Sequence, residues 1–332
     1  MLKIFNVISF YVFIILFCLQ YAFISSILII HLYRQGQLWL SFKMSKVTRK
    51  FRKKIFAMMM LTFLVIIVNT LRGSIDALVL ASIVNLTSVG IFGFAAYMVA
   101  LLQAPLRSLI AITIPILSRA WKQKDHKEIS RIYKRSSINL LSFSLLLFFC
   151  IWLNYTQAIQ YFGINSSYLD GKNVFLLLAI TAIVEMGTGV SSQIIGTSSY
   201  WRFELWTSLL LTSLIIPLSY FLTIKYGLTG PALANLISFV VYNAVRYYFL
   251  LKKFSLQPFS KKTAEVIVIA LGLYFVIYFT ADSMQGLAGL LLRTAFYIIG
   301  FLVLVYYRNI SPDMRPVVHS FQKRLGLIEK VK

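Results

Sequence analysis

The chain has 332 residues, of which 59% are hydrophobic and 13% charged, and its mean hydropathy is +0.80. A water-soluble domain carries roughly 25% charged residues, so this composition excludes a soluble globular protein and requires a surface buried in lipid. The formal net charge of +23 does not point to nucleic acid, because the basic residues collect in gaps between long apolar stretches, where orientation in a membrane and attraction to anionic lipid account for them.

A helix needs about 20 apolar residues to cross roughly 30 Å of hydrocarbon. That length predicts nine spans, at approximately 4–32, 55–82, 89–118, 136–156, 174–198, 204–224, 229–251, 263–280 and 288–307. The first is too long for a signal-peptide core and has no small-residue cleavage site after it. The gaps alternate in charge. Segments 33–54, 119–135, 251–262 and 308–332 are basic, and 199–203 carries Arg202; positive loops stay cytoplasmic. The gaps around Asn85 and at 163–171, 225–227 and 282–286 carry little charge and are expected outside. An odd number of spans with a cytoplasmic C-terminus puts the N-terminus outside.

Segments 34–54 and 119–135 read as helical extensions or surface-lying helices. In the second, Trp121, Ile129, Ile132 and Tyr133 alternate with basic residues, which suits an amphipathic segment at the inner interface; a solvated connector fits equally. Cys18 and Cys150 lie in apolar stretches, and His31, His126 and His319 have no ligand spacing. No disulfide framework, metal site or cofactor is expected.

Charged side chains inside a span are costly and point to function. The second span carries Asn69, Arg72 and Asp76 at steps of three and four residues, which places them on one stripe. Arg72 is expected to pair with Asp76. The stripe reads as an anion site on a cavity wall, with Asp76 tuning the arginine or carrying a proton, or as a structural ion pair. The third span carries Gln103 and Arg107, flanked by Pro105 and Pro115, each of which favours a bend. Arg107 faces a moving cavity or snorkels to headgroups. The fifth carries Glu185, with Gly189 and Gln193 at four-residue steps and Thr188 and Ser192 beside them. That face suits a water-lined cavity or close helix contact, and Glu185 is a candidate proton or sodium site or an interhelical hydrogen-bonding group. Arg246 and Arg293, near span ends, are expected to snorkel. The chain carries no paired-carboxylate loop, phosphate-binding glycine loop or HExxH, so it is not expected to be an enzyme.

Residues 76–80 (DALVL), 88–97 (SVGIFGFAAY) and 114–118 (IPILS) resemble the start of the second half of polysaccharide-biosynthesis, O-antigen type, lipid-linked oligosaccharide flippases. These belong to the multidrug/oligosaccharidyl-lipid/polysaccharide exporter superfamily. Residues 225–235 (KYGLTGPALAN) are similar to a glycine-rich helix entry of that family, and 125–128 (DHKE) with 133–137 (YKRSS) fit its inner loop. The resemblance runs from about residue 55 onward.

It implies an all-α polytopic membrane helix bundle with one six-helix lobe plus accessory helices. Residues 1–54 would be the last helix of an incomplete N-terminal lobe and a basic linker, 55–251 the six-helix C-terminal lobe, 252–307 an accessory pair and 308–332 a basic tail. About five spans of the family pattern would precede this chain. It also implies a flippase for undecaprenyl-pyrophosphate-linked oligosaccharide in a bacterial cytoplasmic membrane, working by alternating access with polysaccharide polymerase and glycosyltransferase machinery. By the same resemblance Arg72 and Arg107 would hold the pyrophosphate, Asn69, Gln103 and Gln193 would line the cavity, and Asp76 and Glu185 would couple an ion. A cation-coupled small-molecule exporter, a membrane polymerase or acyltransferase, and an inactive fragment remain alternatives.

Overall fold

Residues 10–36, 46–281 and 286–313 are described by a computed structural model, and every regular element among them is helical. In chain order these are α1 (Phe10–Arg34), α2 (Lys46–Ile83), α3 (Leu86–Leu102), α4 (Ala104–Gln123), α5 (His126–Tyr161), α6 (Gly171–Gly187), α7 (Ser191–Thr197), α8 (Trp201–Tyr226), α9 (Gly230–Phe254), α10 (Lys261–Ala281) and α11 (Gly286–Tyr307). Short 3₁₀ turns, Ser166–Asp170 and Gly227–Thr229, precede α6 and α9. The chain divides into two compact units, residues 1–66 and 67–332. In the first, α1 exposes Ile15, Leu19, Phe23 and Leu28. The second unit holds the functional candidates.

The protein is a polytopic membrane helix bundle. Among the described residues, five helical segments are long and apolar enough to cross a membrane, or up to seven when each of two bent helix pairs is taken as one span. One of the five, Trp201–Phe254, is the α8–α9 hairpin, whose two arms run antiparallel and supply two crossings. The remaining predicted span corresponds to α2, part of whose side chains lie outside the described residues. Large apolar side chains such as Leu78, Ile112, Trp206, Phe221 and Phe279 face outward. Lipid tails are as apolar as leucine, so burying such groups would add little; close packing and hydrogen bonds must hold the helices together.

Local signals set the helix ends. Asn85 caps α3 by accepting from Ser88 N–H at 2.7 Å. Asp125 caps α5 by accepting from Glu128 N–H at 3.0 Å; an N-cap side chain of this kind stabilises a helix by about 1 kcal/mol. The α8–α9 turn depends on glycine twice. Gly227 adopts φ +56° and ψ −126°, and a Cβ on Gly230 would lie 2.4 Å from the Thr223 backbone.

A continuous region is built on α5. Its Phe148 and Phe149 stack among Phe175 of α6, Tyr274 of α10 and Tyr297 of α11. Asn154 donates to Thr294 Oγ1 at 2.9 Å, and Tyr297 donates to Ala270 O at 3.3 Å. At the far end Arg135 pairs with Asp313, Asn139 donates to the same carboxylate at 2.5 Å, and Lys262 donates to Asn309 O at 2.5 Å. α10 and α11 are thereby fastened to one another and to α5.

Segment 119–135 takes the form of helical extensions rather than a surface-lying helix. It is the end of α4 and the start of α5, turning at Lys124, whose φ is +57°. Ile129 and Tyr133 are fully buried against Val190, Ile194 and Leu250, and Trp121 Nε1 donates to Ile194 O at 3.1 Å. Its apolar face meets protein rather than headgroups. Within 34–54, residues 37–45 lie outside the described residues, and 46–54 form a helical extension at the start of α2.

Candidate functional site

Two spans are broken, and the breaks meet. The α3–α4 pair bends by 45° at Gln103, and the stretch from Ser166 to Thr197, comprising α6 and α7, bends by 48° after Gly187. At the first, Pro105 lies in the opening turn of α4, where its missing N–H costs nothing but its ring bars a straight continuation of α3. At the second, Gly189 has φ +59°, and a Cβ there would lie 2.7 Å from Ser136 Oγ and 2.8 Å from Ser137 N. The freed backbone is stitched to α5: Ser137 Oγ donates to Gly187 O at 2.5 Å and Val190 N–H donates to Ser136 Oγ at 3.3 Å. Unwound backbone at membrane depth needs such partners. Gln103 Nε2 donates to Glu185 Oε2 at 2.9 Å, joining the two bends. Glu185 lies ~21 Å along α6 at 1.5 Å per residue, well inside the hydrocarbon.

The predicted stripes are therefore interrupted. Glu185 ends α6, whereas Gln193 sits on α7 beyond the bend; Gln103 caps α3, whereas Arg107 sits on α4. The structure brings Gln103 and Glu185 together and separates Gln193 from Glu185 by a turn of chain. Gln193 Oε1 is enclosed, with no hydrogen-bond partner among the described residues. Arg107 is exposed.

On α2 the expected Arg72–Asp76 pair does not form. Asp76 is buried, and its carboxylate accepts from Ser219 Oγ of α8 at 3.1 Å and from Asn235 Nδ2 of α9 at 2.7 Å. The i,i+4 spacing allowed an ion pair, but the hairpin offered Asp76 two neutral donors deeper in the bundle. Arg72 is half-buried with its guanidinium 5.8 Å from the centre of the Phe239 ring. The side chain of Asn69 lies outside the described residues.

Two arginines expected to snorkel are buried. Arg246 is 3% exposed and forms a two-pronged pair with Glu204, at 3.1 Å from Nε and 2.5 Å from Nη2. Ser192 Oγ of α7 donates to the same carboxylate at 2.7 Å, and the guanidinium lies 4.2 Å from the Tyr242 ring centre. Nearby, Thr188 at the α6 break donates to Asn243 Oδ1 at 2.9 Å. Arg293, 2% exposed, donates to Gln157 Oε1 and to Gly289 O. Instead of reaching for headgroups, each guanidinium is taken up by a polar side chain on a packed neighbouring helix. Sequence reasoning missed Glu204, and hairpin spacing gave no signal for it, because Glu204 lies about two helical turns farther from the Gly227–Gly230 turn than Arg246 does.

The site thus contains two kinds of carboxylate, one buried (Asp76) and two half-buried (Glu185 and Glu204), that differ in how they are held. Glu204 is neutralised by a guanidinium. Asp76 and Glu185 are held by amide and hydroxyl donors, which satisfy lone pairs without cancelling charge. Among the described residues no group of histidine, cysteine, aspartate or glutamate side chains could hold a metal ion.

Neither a protein-family model nor a curated protein sequence matches this chain. Its fold is similar to that of a solved structure of the lipid II flippase MurJ in an inward closed conformation, with a TM-score of 0.63 and 16% identity. The match covers 79% of this chain and 56% of that one, so the chain spans just over half the length of that protein. At this identity the likeness is one of fold: the chain shares the helical architecture of a lipid-precursor flippase.

Proposed function

We propose that the chain works in a flippase that moves undecaprenyl-pyrophosphate-linked oligosaccharide from the inner to the outer leaflet of a bacterial cytoplasmic membrane. The observation that carries this reading is the flippase-type fold enclosing two bent spans joined at Gln103–Glu185. In transporters, substrate and ion sites are typically formed where spanning helices are discontinuous, and two spans that bend side by side offer such a place. Arg72 and Arg107, with no carboxylate at ion-pair distance among the described residues, are assigned to the pyrophosphate, whose oxygens a guanidinium fork can hold in parallel hydrogen bonds. Asp76 and Glu185 can take up a proton or sodium ion without breaking an ion pair, and are assigned to coupling. Asn69, Gln103 and Gln193 are assigned to the cavity lining. The basic loops and C-terminal tail are placed on the cytoplasmic side. The chain transports rather than catalyses, and works with polymerase and glycosyltransferase machinery.

Cells carrying Arg72→Ala or Arg107→Ala are expected to lose glycan export at least tenfold, and Lys at either position to restore only part of it. Accumulation of lipid-linked oligosaccharide in the inner leaflet is the readout. Normal export by both alanine variants at normal expression would remove the pyrophosphate assignment. Lengthening of labelled lipid-linked sugar by the purified protein would instead favour a polymerase, and efflux of cationic dyes a drug exporter.

A further inference from the structure

A cavity of about 360 Å³ lies between α5, α6, α10 and α11, away from the helix breaks, and its lining includes Trp152, Thr156, Gln157, Lys172, Tyr278 and Arg293. Five of these lie toward one end of the bundle, with Trp152 about one turn deeper in α5: Thr156 and Gln157 in the last turns of α5, Lys172 in the first turn of α6, Tyr278 in the last turn of α10 and Arg293 in the second turn of α11. At 1.5 Å per residue, Thr156 is ~8 Å from the end of α5, so the cavity lies near the helix ends, the side on which the headgroups of a membrane would stand. Basic residues are concentrated at the other end of these helices, in Arg131, Lys134, Arg135, Lys261 and Arg308. A lysine in this cavity is therefore not part of the charge pattern that orients the chain.

Lys172 is held in the cavity by its own walls. Its Nζ donates to Thr156 Oγ1 at 3.2 Å and lies 4.8 Å from the centre of the Trp152 ring. No carboxylate among the described residues lies at ion-pair distance from it. The Gln157 amide is fixed by the buried Arg293 guanidinium, leaving its NH2 group as a further donor beside the ammonium. An ammonium, a hydroxyl and amide donors converging in a polar recess suit the oxygens of a phosphate. The rim identifies the source. Tyr278 is 44% exposed, and on the same helix Phe275, Val276 and Phe279 are 52%, 58% and 79% exposed, an apolar ribbon along which acyl chains can lie beneath a headgroup. Trp and Tyr are favoured at this depth.

We propose that this cavity binds the phosphate of an anionic phospholipid headgroup, with Lys172 as its principal contact and the outer face of α10 as the seat of the acyl chains. The full chain, purified in a neutral detergent, should melt at a higher temperature on addition of phosphatidylglycerol than of phosphatidylcholine. Lys172→Gln should weaken the phosphatidylglycerol response at least tenfold in half-saturating concentration, while Lys172→Arg keeps it within about threefold, each charge-assisted contact being worth roughly tenfold. Inorganic phosphate producing the same Lys172-dependent shift would support the anion site and identify free phosphate as its occupant. Equal responses to the two lipids, or a phosphatidylglycerol response unchanged in Lys172→Gln, would overturn the proposal. Mass spectra of lipid retained by the wild-type protein supply a test free of mutation: enrichment of phosphatidylglycerol over its share of the host membrane supports the site, and its absence from retained lipid sinks it. None of these readouts depends on transport.

Discussion

The helices around the two bends and the helices packed on α5 solve the same problem by opposite means. Around α5, α10 and α11, the helices run unbroken, aromatic rings fill the contacts, and polar clasps such as Arg135–Asp313 close the ends. Around α3–α4 and α6–α7, the helices are interrupted, serine side chains of α5 bond to the freed backbone, and the Gln103–Glu185 and Thr188–Asn243 side-chain bonds link the helices at the breaks. Dispersion contacts in the first region are many and individually small, so no single one decides the arrangement. Hydrogen bonds in the second are few and specific, so exchanging one or two can exchange one arrangement for another. The first region suits a rigid body and the second a joint.

The largest expected effect comes from cutting the charged anchor of the joint. Glu204→Ala leaves the buried Arg246 guanidinium without its partner and should cost about 3–5 kcal/mol of stability, read as a fall in the melting midpoint in detergent. The double variant Glu204→Ala with Arg246→Met should recover most of that loss. A Glu204→Ala protein that melts like the wild type would show that the pair is not the anchor, and would weaken the contrast between the regions.

Gly189→Ala tests the bend itself. The new methyl meets the α5 backbone, and the left-handed backbone there disfavours any side chain by about 1–2 kcal/mol, with overpacking adding about 1–3 kcal/mol. Cysteine cross-linking between α5 and α7 should report the two helices moving apart; unchanged cross-linking and stability would mean that the bend does not need the close approach.

Tyr297→Phe tests the continuous region and should do least. It removes one hydrogen bond to Ala270 O and keeps the ring in its stack, at a cost of about 1 kcal/mol. A loss equal to that of Glu204→Ala would indicate that the α5 region also depends on single polar contacts, and the division into body and joint would fall.

Much of the fold was legible in the chain. The apolar stretches predicted the helices within a few residues for α8, α9, α10 and α11, because hydrocarbon thickness imposes their length; α5 runs well beyond its predicted span of 136–156, because its polar first turns pack on protein. The glycines of 225–235 marked the α8–α9 turn, and Pro105 marked a bend in the third span. Glu185 and Gln103 were identified as buried polar groups, and the structure joins them. Their periodic stripes were less reliable. Counting every fourth residue through Thr188–Val190 assumes an unbroken helix, and Gly189 ends that assumption. The Arg72–Asp76 pair failed for a related reason: helical spacing states which neighbours are within reach on one helix, and says nothing of donors arriving from two others.

Composition and charge placement by themselves determined that this protein is a multi-span helical membrane protein and which residues would be expensive to bury, since both follow from the transfer of side chains and backbone into lipid. Which of those residues meet was decided only by tertiary packing. Asp76 with Ser219 and Asn235, Glu185 with Gln103, and Glu204 with Arg246 join residues 42 to 159 positions apart. In lipid, where apolar contact discriminates weakly between alternative arrangements, such buried polar matches are what select one packing over the rest.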